Sequence, residues 1–251
     1  MNAQRFTGKA AVYAKSRPSY PDAFLRYLYD ERGFHADSAI ADIGSGTGKL
    51  TQLLLECGST VYGVEPNDDM RGAAEELLAV YPRFTSIGAL AESTTLACAS
   101  IDRITVAQAF HWFDRDAFRA ECRRILRGGG LVTLVWNVRD PDSAVVQACD
   151  GVNKKFCTAY GGFTGGVDVC DTERFRLFFK EGQFETRRFD NAPLYDLDGF
   201  VGRSLSSSYA PRPEDVLYTP YVECLKDIFH EYSRDGVLVL PSFTASFTGT
   251  V

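Results

Sequence analysis

Only three histidines occur in the 251 residues, and no block of lysines and arginines offsets the net charge of −6. A chain that must neutralise a phosphate backbone concentrates its basic side chains, so this composition argues against nucleic acid as the main partner and favours a small molecule. The seven cysteines, at 57, 98, 122, 149, 157, 170 and 224, are odd in number, scattered and never spaced Cys-x-x-Cys. Zinc ligation therefore has little support, no metal is expected, and reduced thiols in a cytoplasmic protein are. No run of about 18 apolar residues is present to span a membrane, and no apolar h-region of a secretory signal is found. Repeats and low-complexity tracts are missing too. What is present is 45% hydrophobic residues, enough for a packed core, in a length that suits one domain with insertions better than two.

The most informative stretch is Asp42-Ile43-Gly44-Ser45-Gly46-Thr47-Gly48-Lys49. It follows an apolar run from Ala39 to Ile43 and precedes a helical pattern at Leu50, Leu53 and Leu54, so the order is strand, tight turn, helix. Glycines at alternate positions reach positive φ and let the backbone approach a ligand, and the helix behind them offers free N–H groups and a positive dipole end. A P-loop needs Gly, four residues, then Gly-Lys-Ser/Thr; here Ile43 stands where the first glycine belongs and Leu50 follows Lys49. A dinucleotide turn reads Gly-x-Gly-x-x-Gly, whereas here Gly44, Gly46 and Gly48 alternate. Asp42, two residues before the first glycine, suits an ammonium group, held directly or through water, better than a pyrophosphate.

A second apolar strand, Thr60 to Val64, ends in Glu65. An acid there, about 20 residues beyond the glycine turn, is placed to accept from ribose hydroxyls. A carboxylate at each strand tip has no competing structural use in the sequence and implies a ligand with an ammonium at one end and a ribose at the other. S-adenosylmethionine has both.

Four stretches, Asp42 to Gly48, Val64-Glu65-Pro66-Asn67, Val106 to Phe113 and Arg124 to Leu131, resemble, in order and spacing, the class I S-adenosylmethionine-dependent methyltransferases, within them the small-molecule type 11 group that includes trans-aconitate methyltransferase-like proteins. The resemblance runs from about Arg5 to the C-terminus. It implies an α/β fold with a Rossmann-like, mostly parallel seven-stranded sheet, helices on both faces, an antiparallel last strand and helical insertions in the C-terminal half. The implied organisation is a single domain over 1–251, with a cover segment at 1–38, a cofactor-binding core at 39–137 and substrate-side insertions with the last two strands at 138–251. Cofactor contacts are implied at Tyr13, Arg17, Asp42, Gly44, Ser45, Gly46, Gly48, Glu65, Pro66, Met70, Ala91, Glu92, Ala107 and Gln108. Where the family commonly carries an acid before the adenine-lining pair Ala91 and Glu92, this chain has Leu90.

Sequence periodicity fills in the frame. Helices are expected over Asp22 to Asp30, from Asn67 onward and over Arg115 to Leu126, the last stopped by Gly128-Gly129-Gly130. Strands are expected over Phe84 to Gly88, Ile101 to Ala107, Leu131 to Trp136, Phe184 to Phe189 and Leu238 to Val251, with a helical insertion from Leu197 to Tyr232. The glycine-rich stretch Gly161 to Gly166 reads as a loop whose composition suits a lid and a disordered segment equally.

Methyl transfer requires alignment of a nucleophile, exclusion of water and, for some acceptors, removal of a proton. His111, at the carboxyl end of the fourth strand, is the candidate catalytic base; substrate contact and a purely structural role stay open for it. His111, Trp112 and Tyr209 are the candidate substrate contacts. The expected activity is methyl transfer to a small organic acceptor, with a carboxylate oxygen suggested by the resemblance as the nucleophile, one that needs no base, although no arginine clamp for a polyacid stands out. A noncatalytic cofactor-binding module and a nicotinamide-dependent oxidoreductase are the alternatives.

Overall fold

A computed structural model describes residues 19–162 and 173–251. Nine strands form within them: β1 (Ala39–Ile43), β2 (Thr60–Val64), β3 (Phe84–Ile87), β4 (Ile101–Ala107), β5 (Leu126–Arg139), β6 (Glu185–Asp190), β7 (Leu194–Tyr195), β8 (Leu238–Val239) and β9 (Ser242–Gly249). Seven of them make one sheet in the order β3-β2-β1-β4-β5-β9-β6. The pairs from β3 through β5 are parallel, while β9 runs antiparallel between β5 and β6. This is the Rossmann-like sheet that the sequence implies.

The helices are α1 (Asp22–Arg26), which continues as a π-helical turn over Tyr27–Glu31, then α2 (Lys49–Glu56), α3 (Asp68–Leu78), α4 (Arg115–Ile125), α5 (Ala144–Phe156), α6 (Glu173–Arg176), α7 (Leu197–Leu205) and α8 (Tyr218–Tyr232). Two apolar clusters sandwich the sheet. Ile43, Ile104, Leu134 and Trp136 join Phe110, Phe118, Phe175 and Phe247 on one side. Ile40, Val61 and Val135 join Phe24, Leu28 and Leu54 on the other. Neighbours on one strand, Leu134, Val135 and Trp136, thus feed opposite faces, which is why β5 reads as an unbroken apolar run.

Three boundaries differ from the sequence expectation. Helix α4 ends at Ile125, before the glycines, because Leu126 already pairs with Ile101; Gly128 to Gly130 sit in a register shift, after which Leu131 pairs with Arg103. The strand expected from Leu238 to Val251 is two: Leu238–Val239 pairs with Leu194–Tyr195 in a separate ribbon, and Pro241 precedes the long strand in the main sheet. The helical insertion is likewise two helices, α7 and α8, which pack with α5 around a third cluster that includes Phe200, Tyr221 and Leu225. Positions 163–166 of the glycine-rich stretch and the cover residues Tyr13 and Arg17 lie outside the described residues. Among those described, no helix is long and apolar enough to cross a membrane.

Candidate active site

The glycine turn joins β1 to α2 in left-handed backbone: φ is +70° at Gly44, +56° at Gly46 and +82° at Gly48. Two positions have a second reason to be glycine. A Cβ on Gly44 would lie 2.5 Å from Ala109 Cβ, and one on Gly48 would lie 2.8 Å from Leu78 Cδ1. At Gly46 the nearest atom to an added Cβ is Met70 Cε at 3.5 Å, so there the backbone lies open. Gly44 N–H and Ser45 N–H donate to Val64 O at 2.8 and 3.2 Å, which ties the turn to the tip of β2.

Glu65 completes that tie. Its Oε2 accepts from Gly46 N–H at 3.0 Å and its Oε1 from Asn67 N–H at 2.8 Å. Burial raises its carboxyl above the ordinary range, against the lowering effect of those two N–H bonds. The residue is only partly buried, and a carboxylate has roughly four acceptor positions, so capacity is left over for further hydroxyl donors. Asn67 caps α3 by accepting from Met70 N–H at 2.9 Å, which sets buried Met70 below the turn.

Asp42 does something the sequence did not suggest. It is 1% exposed, and its two oxygens accept the hydroxyls of Thr51 at 2.6 Å and Thr105 at 2.8 Å, with the Thr51 backbone N–H donating as well. An acid at the positive end of α2 is favourable, and here it anchors that helix to β1 and β4. The premise that a strand-tip acid has no competing structural use is therefore wrong for Asp42. Burial pushes its carboxyl up to about 6 in spite of the hydrogen bonds.

The loop after β4 closes over the turn. Gln108 has φ +60°, an uncommon conformation for a side-chain-bearing residue and one that collects at functional sites. Its N–H donates to Val135 O at 2.9 Å and its Nε2 reaches Asn137 O at 3.4 Å. A short 3₁₀ turn over Phe110–Trp112 follows. It buries Phe110 and leaves His111 and Trp112 half-exposed, their rings 4.6 Å apart. Ala91 is buried, and Glu92 accepts from Asp114 N–H at 2.8 Å, joining the turn after β3 to the start of α4. Ala107 and Pro66 end β4 and begin the loop after β2, both half-exposed at the same end of the sheet.

Tyr209 stands apart from this group, in the insertion, where it lines a small cavity with Arg139, Arg203, Asn153 and Tyr221. Its neighbours Ser206 and Ser207 are buried, and Ser206 Oγ donates to Arg203 O at 2.6 Å, so that hydroxyl closes the end of α7. The two arginines carry no local sequence signal: one ends β5 and the other lies on α7. Among the described residues no group of three or more His, Cys, Asp or Glu side chains is placed to hold a metal ion.

Comparison with known proteins agrees with this architecture. The methyltransferase-domain family matches residues 41–134, the span from β1 into β5. An uncharacterized methyltransferase of Bacillus mycoides is 36% identical over 157 residues, which cover 60% of this chain and 68% of that protein. One of Mycobacterium tuberculosis is 38% identical over 135 residues, covering 54% and 53%. The chain spans about half the length of the first curated relatives it matches. The solved structure of a candidate type II methyltransferase from Anaeromyxobacter dehalogenans superposes with a TM-score of 0.69 at 24% identity, covering 93% of this chain and 97% of that one. A phosphoethanolamine N-methyltransferase of Haemonchus contortus, solved with phosphomonomethylethanolamine and S-adenosylhomocysteine, has a TM-score of 0.56 at 15% identity, covering 99% and 56%. The fold and the glycine-turn site define a Rossmann-like methyltransferase architecture. The chain belongs to the class I S-adenosylmethionine-dependent methyltransferases.

Proposed function

We propose that the protein transfers a methyl group from S-adenosylmethionine to a small, carboxylate-bearing organic acceptor, as the trans-aconitate-like subgroup would. The observation that carries the cofactor site is Glu65: a partly buried carboxylate clamped between the open Gly46 backbone and the start of α3, with acceptor capacity left for a ribose. The cradle at Gly46, which a side chain would fill, fits the same ligand. Ser45, Pro66 and Met70 shape the cradle, Ala91 and Glu92 border the adenine, Ala107 and Gln108 floor the methyl-bearing end, and Tyr13 and Arg17 belong to a cover over it. Asp42 acts on the ammonium end through its charge beneath the turn and by holding α2 in place, not by direct contact. When bound, S-adenosylmethionine supplies a methyl carbon already activated by the sulfonium, so the chemistry left to the protein is alignment and exclusion of water. The aromatic loop Phe110 to Phe113 supplies a dry wall, and His111 holds the acceptor or takes its proton. The unit is a single domain over 1–251. A reducing, cytoplasmic setting is consistent with the free cysteines among the described residues.

The test is calorimetric titration of S-adenosylmethionine and S-adenosylhomocysteine into wild type and Glu65→Ala, with NADH as control. Micromolar binding that the substitution weakens by about 1–3 kcal/mol, the usual cost of losing a charged hydrogen bond, is the expected result. A folded protein that binds neither compound overturns the reading, and binding of NADH alone favours an oxidoreductase. Turnover of any acceptor removes the noncatalytic module.

A further inference from the structure

The cavity between β5, α5, α7 and α8 holds a buried cation with nothing of opposite charge paired to it among the described residues. Arg203 is 7% exposed, and its Nε is fully buried without a hydrogen-bond partner. Arg139 lines the same cavity, with Tyr209, Tyr221 and Asn153. Tyr221 is fully buried, its hydroxyl 2.9 Å from Asn153 Oδ1. The nearby Asp150 carboxylate is engaged by Lys154 and by the Tyr160 hydroxyl and also lies in the field of Arg139, so the cation without an acid among the described residues is Arg203 alone. A guanidinium taken out of water without a counter-charge destabilises a protein, so one with no counter-charge among the described residues is suited to an anion from outside.

The position of the cavity says what that anion belongs to. Gln108, at the carboxyl end of β4, reaches the carbonyl of Asn137, and Arg139 lies two residues further along β5 on the same strand face. That displacement is about 7 Å at the rise of a strand. Free space in the cavity is about 10 Å³, room for a single water-sized group. A carboxylate head is larger than that and enters only by displacing lining side chains; the planar guanidinium fork matches its two oxygens better than a tetrahedral phosphate.

We infer that the Arg139–Arg203 cavity anchors a carboxylate of the methyl acceptor, and that the methylated atom is a different one on the same molecule. The inference rests on the methyltransferase reading above. A carboxylate held by a guanidinium has its lone pairs engaged and is a poor nucleophile, whereas one anchored about 7 Å along the strand leaves a second group free to face the Gln108 and His111 end. Arg203 is thus a specificity residue, outside the bond-making step.

The test uses the full chain and four probes, acetate, benzoate, succinate and inorganic phosphate, titrated at constant ionic strength with melting temperature and calorimetry as readouts. At least one carboxylate is expected to bind saturably and raise the melting temperature, phosphate more weakly. Arg203→Met should melt higher than wild type without ligand, because it removes a buried unpaired charge, and should bind that carboxylate at least tenfold more weakly. Arg203→Lys should retain part of the affinity, and both variants should bind S-adenosylhomocysteine within twofold of wild type. The inference is overturned if no carboxylate saturates, if phosphate binds better than all of them, if Arg203→Met binds carboxylate as wild type does, or if that variant melts lower or fails to fold, which is the mark of a structural arginine. A methyl ester as the product from a monocarboxylate acceptor overturns it as well. Carboxylate binding through Arg203 without any binding of S-adenosylhomocysteine removes the methyltransferase reading and leaves the anion site standing.

Discussion

Gly44→Ala should cost about 2–5 kcal/mol of stability, the sum of a left-handed side-chain-bearing residue at about 1–2 kcal/mol and overpacking at about 1–3 kcal/mol. The new Cβ lands 2.5 Å from Ala109 Cβ and 3.3 Å from the Phe113 ring. Ala109 Cβ is fixed to the backbone and cannot swing aside, so either the glycine turn or the loop after β4 must move. Gly46→Ala is the control. It has the same sign of φ, yet its Cβ meets only the flexible end of Met70 at ordinary contact distance, so it carries the backbone cost without the clash. Urea denaturation of both variants, with S-adenosylhomocysteine affinity measured on whatever folds, separates the two effects. Equal losses for the two substitutions would show that the contact between the turn and the β4 loop is not under the tension described. The expected inequality means that cofactor turn and acceptor-side loop behave as one packed unit.

Asp42→Asn should erase a pH dependence worth about 2–3 kcal/mol between about pH 4 and 7. The native carboxyl is pushed up to about 6 from the ordinary 3.8, so between those values the folded protein keeps a proton that the unfolded chain has released. Stability from this group is therefore full below about pH 4 and is lost as pH rises through about 6, at about 1.4 kcal/mol per unit of pKa difference. Asparagine keeps the shape and does not titrate. Subtracting the variant's denaturation free energy from that of wild type across the pH range cancels the other carboxylates, several of which, such as Glu121 held at about 2 by Arg124 and Thr94, act in the opposite direction. A flat difference would mean that Asp42 is not buried as described. The expected slope means that at neutral pH the protein carries a destabilising buried anion under the turn.

The sheet was legible because its strands are short apolar runs in register with helical patterns, and because the glycine turn sits at a strand end. Local chemistry explains what was not. The helix before Gly128 stops early through pairing of Leu126 with Ile101, a contact that no local period encodes. Pro241 is visible in the sequence, but the partner that takes Leu238–Val239 out of the main sheet is Leu194–Tyr195, more than forty residues earlier. The structural role of Asp42 depends on Thr105, sixty-three residues away. Tyr209 stood out as a candidate substrate contact, while Arg139 and Arg203, beside it in the cavity, lie on different elements and gave no signal. Spacing reveals what one turn or one helix face assembles, and it is silent about side chains that meet only after the sheet has closed.

The place of β9 has a cost in time. Residues 242–249 are made after every other described strand of the sheet, yet they fill an interior slot, pairing with β5 on one side and β6 on the other. During synthesis Val132 to Arg139 wait for a partner that lies about a hundred residues downstream, about 5–20 s away at about 5–20 residues per second. Over that interval β5 is an apolar edge, and β6, whose one neighbour in the described sheet is β9, has nothing to pair with. Newly made chains are therefore expected to be most prone to misassociation just before residues 242–249 emerge, and truncation ahead of Ser242 should give an aggregating product instead of a smaller folded one.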